Sequence, residues 1–386
     1  MVTGIDPGMR RQTPLAKLLV QRIREQGAIS VLDYIETCLT DPIYGYYTTQ
    51  TAIGSDGDFI TAPEISQVFG ELIGVWCVLV WQQMERPDAL NLVELGPGRG
   101  TLMADALRAL AKVPGLAQSL RLHLIESSDH LSHQQDETLA GLGSNPKHWR
   151  SLEEYCREAN RGSGPAIIIA NEFLDALGIT QWIAQRSDVA DRVAWHQRRV
   201  GVDDAGLLQF EMDRAPTDEA ADLPPTDLTA EPGEIFEFAP AFDASVVLGL
   251  KTLAERGPLA GLFIDYGHTV SATGETLQAV RNHTYEHPLS SPGEADLTAQ
   301  VDFAMLTRLA TSAGLAVDRP VTQAEFLGRL GVVERTSRLM SANPAKAATI
   351  EAGTMRLLAP NGMGTRFKAI TLRSPGLAPL PCFQLD

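Results

Sequence analysis

The sequence predicts a doubly wound α/β fold, and three observations carry that prediction. From Asn91 onward, short apolar runs alternate with helical stretches, which is the pattern of a parallel sheet covered on both faces. One run, Leu92-Val93-Glu94-Leu95, passes directly into a glycine-rich turn, Gly96-Pro97-Gly98-Arg99-Gly100, and then into a helix. The next run ends in an acid, Glu126, 30 residues after Gly96.

Residues 1–88 read as a helical cap. Leu15–Glu25 and Ser30–Cys38 place apolar residues at helical spacing. Thr40-Asp41-Pro42 and the Tyr44-Gly45-Tyr46-Tyr47 run then interrupt the pattern. Gly54–Phe59 has the composition of a loop, and a single long helix is expected from Pro63 to Met84. Residues 89–177 and 255–386 form the expected cofactor-binding core, with strands at Leu92–Leu95, Leu122–Ile125, Ala166–Ala170 and Leu259–Asp265. Helices fit at Leu102–Lys112 and Leu131–Leu139. Residues 178–254 are expected to be a β-rich insertion, with strands at Thr180–Ile183, Val193–His196 and Leu207–Met212 and a Pro/Asp/Thr-rich loop over Ala215–Gly233. The tail resumes with a helix at Phe303–Ser312, a strand near Leu315–Asp318, helices over Gln323–Met340 and Pro344–Leu357, and a last strand at Phe367–Arg373. The whole reads as one domain.

Composition narrows the function. In 386 residues, 44% hydrophobic and 21% charged is ordinary for a chain that buries a core. A formal net charge of −16 with no basic run argues against a nucleic-acid partner and favours a basic one. Cys38, Cys77, Cys156 and Cys382 are scattered without a CxxC pair, so they read as buried thiols of a reducing compartment. The first residues do not read as a secretion signal and no apolar run suits a membrane insertion, so a cytoplasmic location is expected.

The chemistry begins at Glu94–Thr101. Gly96, Gly98 and Gly100 allow positive φ and close approach of a ligand, while the helix starting at Thr101 offers free N–H groups. A dinucleotide loop follows G-x-G-x-x-G, whereas here the third glycine comes one residue early and an acid, Glu94, precedes the turn. Both features suit S-adenosylmethionine, with its cationic ammonium and sulfonium, better than a pyrophosphate. Glu126 is placed to accept hydrogen bonds from the two ribose hydroxyls of an adenosine.

The third strand runs into Asn171-Glu172-Phe173-Leu174-Asp175 at the end of the sheet where ligands bind. An arginine acceptor stays protonated, so carboxylates must orient its guanidinium. Glu172, Asn171 and Asp175 are the first candidates; a helix-capping role for Asp175 has equal weight. Glu237 could supply a further acid, and Asp265 and His268 end another buried strand. His283 and His287 lack a third ligand, so no metal site is expected.

Taken together, these motifs resemble the MidA-type family, the bacterial and mitochondrial relatives of a complex I assembly-factor arginine methyltransferase. The resemblance rests on Tyr44–Tyr47, Gly57–Thr61, Pro63–Ser66, Glu94–Thr101, Ala170–Leu177, Asp265–Gly267 and Pro292–Thr298 in this order. It implies a class I (Rossmann-like) methyltransferase fold, S-adenosylmethionine as donor, and symmetric dimethylation of an arginine on an NADH dehydrogenase subunit. It also implies that Asp58, Thr61 and Ser66 close over the cofactor. The chain departs from the pattern at Gly178, where proline is usual, and at Phe238-Ala239. A homodimer is compatible with all of this. Two other readings stay open: an assembly chaperone that keeps the cofactor site without turnover, and a small-molecule methyltransferase capped by residues 178–254. An NAD-linked oxidoreductase is disfavoured by the glycine spacing.

Overall fold

The computed structural model describes residues 10–49, 61–143, 145–158, 164–186, 193–214 and 228–384. Its centre is a mixed sheet of seven main strands: β1 (Leu90–Leu95), β2 (Leu120–Ile125), β3 (Lys147–Trp149), β4 (Ala166–Asn171), β5 (Leu259–His268), β6 (Ala316–Thr322) and β7 (Phe367–Arg373). They lie in the order β6-β7-β5-β4-β1-β2-β3. The first five are parallel, and β7 runs antiparallel between β5 and β6. This is the doubly wound order with an antiparallel strand inserted near one edge.

The central strands read as unbroken apolar runs because both faces are covered. All six residues of β1 and all six of β4 are buried. Alternate side chains go to opposite faces. Leu90, Leu92, Ile167 and Ile169 enter a core shared with the helices Gln67–Gln83 and Thr101–Leu110. Val93, Leu95, Ile168 and Ala170 enter a second core shared with the helix Val31–Thr40 and the helical turns of Phe242–Ala254. Each large aliphatic side chain so buried contributes about 1.5–3 kcal/mol.

Residues 178–254 contribute an antiparallel sheet in which Thr180–Arg186 pairs with both Val193–Val202 and Ile235–Phe238, and Leu208–Met212 pairs with Val193–Val202. The N-terminal segment joins it through Ile29–Ser30, so cap and insertion share a core. Gly178 lies at this contact: a Cβ there would stand 2.6 Å from Leu32 Cδ1.

One expectation needs correction, and two features were not foreseen. The helix expected from Pro63 to Met84 is two helices, Ala62–Ile65 and Gln67–Gln83, because Ser66 turns extended (φ −158°, ψ 125°) and its hydroxyl accepts the N–H of Val68. The expected insertion ends in π- and α-helical turns at Phe242–Ala254, not in strand or loop. The edge strand β3 and a small sheet of Gln278–Arg281, Thr284–Glu286 and Asp296–Thr298 were not expected, since three- and four-residue strands carry no readable period. The expected Gly54–Phe59 loop, with Asp58, and residues 215–227 of the expected Ala215–Gly233 loop lie outside the described residues.

Candidate active site

Strand order reverses between β1 and β4, and their carboxyl ends open side by side, where ligands bind in such folds. At the end of β1 the turn takes φ +62° at Gly96, +53° at Gly98 and +81° at Gly100. Gly96 is doubly constrained, since a Cβ there would also stand 2.7 Å from the Phe173 ring. Gly100 is the N-cap of Thr101–Leu110, so that helix presents its N-terminus to the cleft.

Glu94 lines this cleft at 2% exposure, and its Oε2 has no hydrogen-bond partner among the described residues. Burial pushes its carboxyl up to about 8. Asn171 Oδ1, at the end of β4, is likewise buried and unpartnered. Two orphaned acceptors facing one cleft suit a ligand that brings donors, and an ammonium is such a group. A pyrophosphate would instead meet the Glu94 carboxylate. Across the cleft stands Glu64, whose Oε1 accepts from Thr101 Oγ1 at 2.5 Å and whose Oε2 lies 4.0 Å from Arg99. Thr61 completes this wall.

Glu126 ends β2 half-buried, with Oε1 accepting from Ser128 N at 2.9 Å and Oε2 accepting from Gln135 Nε2 at 3.4 Å. Burial raises its pKa. Gln135 also donates to Gly98 O at 2.7 Å, tying Glu126 to the glycine turn.

Immediately after β4, Glu172 adopts φ +49°, an uncommon conformation for a residue with a side chain. The strain is held from several sides. Its N–H donates to Ile264 O at 2.9 Å, and its Oε1 accepts from Ala62 N at 2.7 Å and Asn171 Nδ2 at 3.2 Å. Oε2 carries no protein hydrogen bond among the described residues. Burial pushes the carboxyl up to about 7; Asp175 adds to the rise, while the Ala62 N–H, Asn171 and the Arg356 charge oppose it.

Behind Glu172, the fully buried Asp265 fixes the turn. Its Oδ2 accepts the N–H groups of Phe173, Leu174 and Asp175 at 3.1, 2.9 and 3.2 Å, and its Oδ1 accepts that of Tyr266 at 2.8 Å. Asp175 emerges from this turn into a second, larger cleft of ≈ 630 Å³, and burial raises its carboxyl to about 6. Tyr47, whose hydroxyl donates to Asp296 Oδ1 at 3.0 Å, and Tyr266 line the same cleft. The two clefts meet at Thr61 and Glu172, which line both.

The structure therefore brings together Glu94, Gly96, Gly98, Thr101, Thr61, Asn171 and Glu172, with Asp175 on the far side. Other expected site residues stand elsewhere. Asp265 faces backbone amides and does not line either cleft, because four N–H groups occupy its oxygens. Glu237 is likewise taken up: it accepts from Gln181 Nε2 at 2.7 Å, from Thr276 N at 3.1 Å and from Leu277 N at 3.2 Å, anchoring the 276–277 loop to the insertion. Ser66 serves as a helix cap. His268 lies 3.7 Å from Asp302 and lines a different pocket. His287 Nδ1 accepts from Leu289 N at 3.1 Å. Among the described residues no group of three His, Cys, Asp or Glu could hold a metal. The sequence singled out neither Glu64, although it stands inside the Pro63–Ser66 motif, nor Tyr47 of the Tyr44–Tyr47 motif as a site residue.

A doubly wound sheet, a glycine turn preceded by a buried unpartnered acid, and a second cleft meeting the first at a strained glutamate define an S-adenosylmethionine-dependent methyltransferase. Residues 72–321 match Methyltransf_28, a family of S-adenosyl-L-methionine-dependent methyltransferases, and the chain belongs to it. Among curated proteins it is 35% identical to the mitochondrial protein arginine methyltransferase NDUFAF7 of Danio rerio, over 92% of this chain and 85% of the relative. It is 32% identical to the Homo sapiens counterpart, over 96% and 86%. Among solved structures it resembles a COG1565 superfamily member from Burkholderia thailandensis bound to S-adenosyl-homocysteine, with a TM-score of 0.79, 25% identity and 97% of each chain covered. These relatives correct one expectation: they are mitochondrial proteins by name, which points to the mitochondrion and overturns the cytoplasmic placement. Cys38, Cys77 and Cys156 are buried and Cys382 half-buried, and none forms a disulfide among the described residues.

Proposed function

We propose that this methyltransferase acts on an arginine side chain of another protein. The observation that carries the reading is Glu172, a carboxylate with one oxygen fixed and one free of hydrogen bonds among the described residues, standing where the cofactor cleft meets the larger cleft. S-adenosylmethionine, when bound, supplies a methyl carbon made electrophilic by the sulfonium. Glu94 and the Gly96–Gly100 turn hold its amino-acid end, and Asn171 Oδ1 accepts a further donor there. Glu126 accepts from the ribose hydroxyls.

Glu172 Oε2 and Asp175 accept N–H groups of the incoming guanidinium and aim one nitrogen toward the cofactor cleft. Charge-assisted bonds of this kind are roughly twice as strong as neutral ones. A nitrogen that gains a methyl group must shed a proton, and Glu172, with a pKa raised to about 7, is able to receive it near neutral pH. Proximity and charge placement are the chain's contributions to this reaction. Asp265 acts as a positioning residue, holding the turn that carries both acids.

We further assign the acceptor to a subunit of respiratory complex I and the product to symmetric dimethylarginine, as the family resemblance implies. The relatives named arginine methyltransferases support the arginine, and residues 178–254 are the proposed substrate region. A homodimer belongs to the same reading, and sedimentation in solution decides it. To test the function, the purified protein is incubated with methyl-labelled S-adenosylmethionine and an extract from cells lacking the enzyme, and the label is located by mass spectrometry. Label on arginine supports the reading; label confined to small molecules or to other side chains refutes it.

A further inference from the structure

The larger cleft is not uniformly acidic. Its lining holds Glu172 and Asp175 and also two cations, Arg356, from the helix Ala347–Leu358, and Arg366, just before β7. Both arginines are solvent-exposed, and among the described residues neither forms an ion pair or a side-chain hydrogen bond. Among the described residues, neither guanidinium pairs with Glu172 or Asp175, the acids that line the same cleft. The neighbouring cation, Lys368, is already held by three carbonyls, of Gly267, Thr365 and Arg366, at 3.2, 2.6 and 3.1 Å. The backbone of Arg366 is pinned as well, its carbonyl accepting the N–H of Gly267 at 3.3 Å.

Arg356 stands near enough for its charge to be felt at Glu172. It therefore repels a second cation entering the same cleft. An acceptor arginine meets this repulsion unless its own chain brings an anion to the two arginines, in which case the penalty turns into attraction. Arginine is suited to this task, because its planar fork takes a carboxylate with two hydrogen bonds.

We propose that Arg356 and Arg366 form a carboxylate subsite, so that the enzyme selects an acceptor arginine with an acidic residue close to it in the same protein. The inference rests on the reading that the acceptor is arginine. Arginines in purely basic stretches are poor substrates under this rule.

The test uses synthetic peptides that share a central arginine and differ at one nearby position: glutamate, glutamine or lysine. Their binding to the full-length protein is measured by fluorescence anisotropy with S-adenosyl-homocysteine present, and their methylation is followed in parallel with S-adenosylmethionine. The glutamate peptide is expected to bind about tenfold more tightly than the glutamine one, with the difference in KM and not in kcat, and the lysine peptide is expected to bind most weakly. In an Arg356→Ala/Arg366→Ala variant the preference collapses to near unity with an unchanged melting temperature. In an Arg356→Glu/Arg366→Glu variant it inverts in favour of lysine. Equal binding of all three peptides by the unaltered protein, binding of none, or a preference that survives the double alanine change overturns the proposal. Ranked binding with no methylation would leave the subsite standing and refute arginine transfer; methylation indifferent to the acid would do the reverse.

Discussion

The pH dependence of cofactor binding tests the cofactor cleft most directly, and the group to perturb is Glu94. Its carboxyl is 2% exposed, one oxygen has no partner among the described residues, and burial raises its pKa to about 8. A cationic ligand binds the ionised form, so below pH 8 binding must release a proton. With a folded pKa of about 8, roughly 1% of the carboxyl is ionised at pH 6 and roughly 9% at pH 7, so affinity should rise about ninefold over that unit. Calorimetry with S-adenosyl-homocysteine, which keeps the ammonium and is not consumed, reads both the affinity and the protons released when buffers of different ionisation enthalpy are compared. The same pKa has a consequence for stability, and its sign follows from the protons each state holds. Between pH 4.5 and 8 the ligand-free native state keeps a proton that the unfolded chain has lost. Stability therefore falls as pH rises through that window, by about 5 kcal/mol in order of magnitude, and bound cofactor opposes the loss. Glu94→Gln imitates the protonated form, so it should bind the ligand weakly, with a pH dependence from 6 to 7 well below ninefold. A flat profile in the unaltered protein, or an undiminished slope in the Gln variant, would refute the reasoning.

Glu172→Gln keeps the shape of the side chain but not its charge; it should still bind S-adenosyl-homocysteine while kcat falls on the order of a hundredfold. The unaltered enzyme should gain activity as pH rises through about 7, where Glu172 ionises, and a profile centred near 4.5 would show that burial does not govern this group. Gly98→Val places a β-branched residue at φ +53° in the cleft wall, so calorimetry should find cofactor binding abolished while circular dichroism stays close to the original; unchanged affinity would reduce the loop to an ordinary turn. Asp265→Ala leaves four backbone N–H groups without their acceptor, and a loss of about 3 kcal/mol or more in denaturant unfolding is expected, with activity falling alongside; an unchanged midpoint would mean that the turn is held by other contacts.

Much of the fold was legible because burial on both faces leaves an unmistakable trace. β1, β4 and β5 appear as apolar runs, and the helix Phe303–Ser312 and the strand Phe367–Arg373 were read with the observed bounds. The cofactor turn was legible for a related reason: three glycines at successive positive-φ positions, flanked by a strand and a helix, have few other uses. The break at Ser66 was not legible, since the residues on either side of it are helical and one serine hydroxyl decides the matter.

Among the acids, sequence alone could say only that they sit at strand ends. It put Glu172 ahead of Glu237 and Asp265 but kept all three as candidates, because position along a strand fixes which end a carboxylate occupies but not which donors reach it. Three-dimensional packing separated them. Four amides close around Asp265, and the loop at residues 276–277 closes around Glu237, so both become structural; Glu172 keeps one oxygen free at the junction of two clefts. Arg356 and Arg366 reach that cleft from the end of the chain, more than 180 residues from Glu172, and no local pattern marks them. What the sequence determined by itself was the sheet, the glycine turn and the end of the sheet onto which the clefts open, because burial and backbone conformation constrain residue type locally. Which carboxylates are free to act, and which cations face them, was decided only by tertiary structure, because hydrogen-bond partners and Coulomb energies depend on distances between segments remote in the chain.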